Sequence, residues 1–148
     1  MEEDMVHEDT VKLLRECDQG IKMGVSSIDD VYDDAVNDKL RGALSVAREE
    51  HVRLEHEVES MLRTFGDEGK DPGVFIKGMS KMKAGMKMAM KGSDSTIAGL
   101  MVDGCNMGIK SLSKYLNQYG AASERAKDVA KKLIAIEDKM AQDMRGFL

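Results

Sequence analysis

Tryptophan is absent, proline occurs once, and aromatic residues make up only 4% of the 148-residue chain. A core without large flat rings is filled by aliphatic chains, and here thirteen methionines supply much of the filler. Cysteine is scarce too. Cys17 and Cys105 stand at no metal-ligand spacing. No apolar h-region follows the acidic start Met1-Glu2-Glu3-Asp4, so no signal peptide is expected. Reduced thiols and a cytoplasmic location are the corresponding expectations. No apolar run approaches the ~18 residues of a membrane span, so a membrane partner is not expected. A basic excess is also missing: the net charge of −5 argues against general nucleic-acid binding. Phosphate loops, glycine-rich dinucleotide turns and nucleophile elbows do not occur.

What is present is helical periodicity, with 42% hydrophobic and 33% charged residues. From Asp38 to Phe65, apolar residues fall at Leu40, Leu44, Ala47, Leu54, Val58, Met61 and Phe65. These steps of three and four mark one face of a helix about 28 residues long, with His51 filling the gap in the stripe. Before it, Leu14, Ile21, Val25, Ile28, Tyr32 and Ala35 mark a helix over about 7–35. A short turn with Asn37 or Asp38 as N-cap joins the two as an antiparallel hairpin. Gly66 closes the second helix as a C′ glycine, and Gly69, Asp71, Pro72 and Gly73 extend the break.

A third, shorter helix is expected over about 74–91. It has Phe75, Met79, Met82, Met86 and Met90 on one side and Lys77, Lys81, Lys83, Lys87 and Lys91 on the other. The preferred reading is a core-facing stripe with a solvated lysine face. A membrane surface or an acidic partner is the alternative. Helices over about 94–119 and 122–146 complete one domain, 1–148, with Ser123 able to cap the last. Its stripe is read as Ala126, Val129, Leu133, Ile136, Met140 and Phe147.

The two hairpins resemble each other. Residues 20–28 lie over 104–112 at an offset of 84, with Gly20/Gly104, Met23/Met107, Gly24/Gly108 and Ser27/Ser111 identical. At an offset of 82, Leu54-Glu55 falls over Ile136-Glu137, and Leu62-Arg63-Thr64-Phe65 over Met144-Arg145-Gly146-Phe147. The pattern predicts a duplicated helical hairpin with a pseudo-twofold axis. A glycine inside a helix costs about 1 kcal/mol relative to alanine. Gly20, Gly24, Gly104 and Gly108 are therefore read as helix-packing residues that let the first and fourth predicted helices approach closely. Room for a bound group or a local π-bulge is the rival reading.

Two hairpins, a long connection and internal symmetry resemble the ferritin-like four-helix bundle. Asp18-Gln19-Gly20, the Asp103–Gly108 segment DGCNMG and the following SLSKYLNQY are similar to small ferritin-like proteins of bacteria, gut Firmicutes among them, for which no activity is known. The resemblance implies an all-α, up-down-down-up bundle with the short extra helix in the crossover. It also implies a place for a di-iron site, built from a Glu on each of two helices and Glu-x-x-His on each of the others. Neither Glu-x-x-His is present: Glu50 is followed by Arg53, Glu137 by Met140, and His51 has Arg48 three residues before it.

The expected protein is a non-enzymatic binding or self-association domain, without a cofactor, forming a homo-dimer or other homo-oligomer. The alternative is a metal-binding or redox protein with an altered ligand set for iron or another divalent metal. Its candidate ligands are His51, Glu55 one turn on, and Glu137, the repeat partner of Glu55. A hydrogen-bonded core histidine with flanking solvated glutamates is the plainer reading of the same residues.

Overall fold

Long apolar stripes, with capped starts on three of them, set four helices among the described residues. They are α1 (Glu2–Tyr32), α2 (Asp38–Thr64), α3 (Asp94–Gln118) and α4 (Glu124–Arg145), with no strand among the described residues. The structure is a computed structural model that describes residues 2–66 and 93–148. The helix expected over 74–91, with Pro72 and its lysines, lies outside the described residues.

Asn37 caps α2, its side chain accepting from the N–H groups of Lys39 at 2.8 Å and Leu40 at 3.3 Å. Ser93 caps α3 through Thr96 N–H, and Ser123 caps α4 through Ala126 N–H. These bonds satisfy donors that the first helical turn leaves without partners. Helix α1 begins at Glu2 rather than near His7, and its first turn holds Glu2, Glu3 and Asp4. Negative charge there complements the helix dipole. Gly66, after α2, takes φ +70°, a conformation that suits a residue without Cβ.

Helix α1 packs along α2, and α3 along α4; α2 also packs on α4, while α1 meets both α3 and α4. Hydrogen bonds tie the hairpins together at both ends. Where α1 gives way to α2, the N–H groups of Val36 and Asn37 each donate to one oxygen of Asp94, both at 2.9 Å. At the other end, Ala121 N–H donates to Asp9 and Ser123 N–H to the buried Thr10 hydroxyl. So α3 starts where α1 ends, and α4 starts beside the start of α1.

The core falls into two apolar clusters. One gathers Leu13, Leu14, Cys17 and Ile21 of α1 with Leu54, Val58, Leu112 and Leu133. The other gathers Ile28 and Val31 with Leu40, Leu44, Ala47, Met101, Cys105 and Met140. Each large aliphatic side chain fully buried here contributes about 1.5–3 kcal/mol.

Candidate functional site: the polar layer at mid-bundle

On every helix one residue stands between the two clusters. On α1 it is Gly24, between Ile21 and Ile28; on α2 it is His51, between Ala47 and Leu54. On α3 it is Gly108, between Cys105 and Leu112; on α4 it is Glu137, between Leu133 and Met140. The level is a single polar layer, two side chains facing two glycines.

His51 is fully buried and Glu137 is 7% exposed. The imidazole uses both nitrogens. Nδ1 lies 2.7 Å from the Ala47 carbonyl oxygen, and Nε2 lies 2.8 Å from Glu137 Oε1. A carbonyl oxygen can only accept, so Nδ1 carries hydrogen. One further proton then lies in the Nε2···Oε1 bond. Placed on either partner, it leaves the pair with no net charge, which is how such groups are tolerated in a low-dielectric interior. Burial opposes a charged ring, but the hydrogen bond and charge of Glu137, with help from the Ala47 carbonyl and Glu50, hold His51 above its ordinary value of 6.5.

The glycines make the room. A Cβ at Gly24 would sit 2.7 Å from His51 Cδ2 and Nε2, while one at Gly108 would meet the Glu137 carboxyl at 3.6 Å. A Cβ at Gly20 would meet Leu133 of α4 at 3.7 Å, and one at Gly104 would have nothing within 4 Å. Where the sequence suggested α1 and α3 drawn together, the neighbours of Gly24 and Gly108 are the His51–Glu137 pair, and Gly104 is open.

Glu55 does not join the pair. Its carboxyl is raised by partial burial and then by Glu59, with Lys22 opposing and Asp18 adding to the rise. Asp18, almost wholly buried, pairs with Lys22 at 2.7 Å, and Lys22 reaches Glu59 at 3.6 Å. The 82-residue offset that matched Glu55 with Glu137 is therefore out of step with burial. The buried positions Leu40, Leu44, Ala47, His51, Leu54 and Val58 of α2 recur 86 residues on, at Ala126, Ala130, Leu133, Glu137, Met140 and Met144 of α4.

Both cysteines are free and buried, Cys17 in one cluster and Cys105 in the other. Burial, then Glu16 and Asp18, pushes the Cys17 thiol up to about 12. Burial and the neighbouring Glu137 raise that of Cys105. Neither has the electropositive setting of a reactive thiolate. Sequence reading did not find Cys105 as a neighbour of Glu137; only the meeting of α3 and α4 shows it. Among the described residues no three His, Cys, Asp or Glu side chains are grouped to hold a metal ion. No helix among them is long and apolar enough to cross a membrane.

Comparison with protein-family models and with curated proteins returns no match. Among solved structures, the chain is similar to the crystal structure of a DUF305 fragment from Deinococcus radiodurans, with a TM-score of 0.71 and 13% identity over 93% of each chain. At that identity the likeness concerns the all-helical fold.

Proposed function

We propose that this chain is a ferritin-like bundle of up-down-down-up order without the di-iron centre, serving as a non-enzymatic domain that binds a partner or itself. The bonds at the two bundle ends support the order of helices. The recurrence of buried positions 84 residues apart in α1 and α3 (Leu13, Leu14, Cys17, Ile21 and Ile28 against Ile97, Ala98, Met101, Cys105 and Leu112) and 86 apart in α2 and α4 supports descent from one duplicated hairpin.

The observation that carries the functional reading is the mid-bundle layer. A di-metal centre needs several carboxylates converging there to offset the ions' charge. This layer offers one carboxyl already bonded to one imidazole, and glycines on the other two helices. A metal would have to break the Nε2–Oε1 bond and expel its proton, with no grouped third ligand among the described residues in return. The test is metal analysis of protein purified without chelator, together with light scattering across a concentration series. The expected result is metal-free protein that self-associates or is captured by a partner. Stoichiometric metal co-purifying with the chain, lost in Glu137→Ala, would overturn the reading.

A further inference from the structure

The same layer has a consequence that does not depend on what the domain binds. We infer that the bundle is locked by one proton lodged between His51 and Glu137, so that withdrawing it loosens the middle of the fold: a pH-sensitive device built where the four helices meet. The argument is geometric. Ala47 fixes hydrogen on Nδ1, so the 2.8 Å contact on the far side of the ring closes only if one proton lies in it. Removing that proton sets an imidazole lone pair against a carboxylate in a space that Gly24 and Gly108 keep just wide enough for the pair. Among the described residues the other charge acting on the ring is Glu50, itself paired with Lys139 of α4 at 2.7 Å, so no cation is bonded to the His51–Glu137 pair itself. Gly24 on α1 carries no charge, α2 adds Glu50, and α3 adds only the Cys105 thiol.

The unfolded chain holds its histidine proton only below about pH 6.5. Between about pH 4.3 and that value the folded and unfolded states carry the same proton, and stability is flat with respect to this pair. Above it, folding takes up a proton until the raised value of His51 is passed. Across that window the folding constant falls about tenfold per pH unit.

Glu137→Gln separates this lock from ordinary packing. The glutamine amide can donate to Nε2 of a neutral ring, giving the same bond with no proton to lose. A buried imidazolium in that variant would lack its counter-charge, so the variant should be the less stable one in acid. The experiment is urea unfolding of the parent chain and Glu137→Gln from pH 5 to pH 9, with ¹⁵N spectra of His51 in the parent. The expected result is opposite slopes: the parent weakens above neutrality, whereas the variant holds there and weakens below about pH 6.5. Parallel profiles would overturn the inference. If the variant does not fold, the spectra decide. A His51 ring with hydrogen on Nδ1 that titrates above the ordinary histidine value supports the lock. A ring that titrates near 6.5 sinks it.

Discussion

Gly24 and Gly104 both sit inside helices and pay the same backbone entropy, yet their surroundings differ. At Gly24 a methyl group would drive into the His51 ring at 2.7 Å, and the ring is held on both sides by hydrogen bonds. Gly24→Ala should therefore destabilise by about 1–3 kcal/mol, the usual cost of overpacking a core. At Gly104 nothing lies within 4 Å, so Gly104→Ala should stabilise by about 0.5–1 kcal/mol through helix propensity alone. Thermal melts of the two variants check this, and shifts of the same sign would show that the layer does not depend on the space at Gly24. His51 was legible in the sequence as the polar residue in an apolar stripe. Glu137 was legible only as the supposed mate of Glu55. Ile136 beside it completes an equally good run of threes and fours from Leu133 to Met140, so spacing alone cannot say which of the two turns inward. From Leu133 onward the buried α4 residues are Leu133, Glu137, Met140, Ala141 and Met144, with Ile136 at the margin.

At the level of elements, the joint between hairpins rests on a few backbone donors. Asp94 accepts from Val36 N–H and Asn37 N–H with separate oxygens, and it also lies in the first turn of α3. Hydrogen bonds to a charged group are the stronger kind, although these are exposed. Asp94→Ala should cost about 1–2 kcal/mol, including the lost complement to the helix dipole. Urea unfolding reads this directly, and an unchanged midpoint would mean that water replaces the carboxylate without loss. Sequence periodicity could reveal that such helices exist, because stripes and caps are local. It could not reveal this joint, because Asp94 meets a turn 57 residues away in the chain. The end of α3, expected at about 119, lies at Gln118, where the helix closes through Tyr119 N–H on Tyr115 O at 2.8 Å. The start of α1 was missed for a related reason. Glu2, Glu3 and Asp4 add no apolar stripe, and their contribution is electrostatic.

For the whole molecule, the question is what a bundle of this kind does when its centre is closed. Iron binding in a four-helix bundle depends on carboxylates that can shed protons and meet two ions at once. Here the described mid-bundle level presents Glu137 and His51 to each other, and Gly24 and Gly108 carry no donor. Glu55 stands outside that pair, where partial burial, then Glu59 and Asp18, raise its carboxyl and Lys22 opposes them. Opening the pair to admit a cation would leave a buried group without its partner, and losing one member of a buried pair costs about 3–5 kcal/mol. Anaerobic titration with ferrous iron, followed by admission of oxygen, should therefore show neither a stoichiometric di-iron species nor catalysed oxidation above the buffer rate. A Glu55→Ala/Glu137→Ala double variant provides the control. A pair of irons bound per chain in the parent and lost in the double variant would overturn this account, since it would require the His51–Glu137 bond to open at a cost that metal coordination more than offsets.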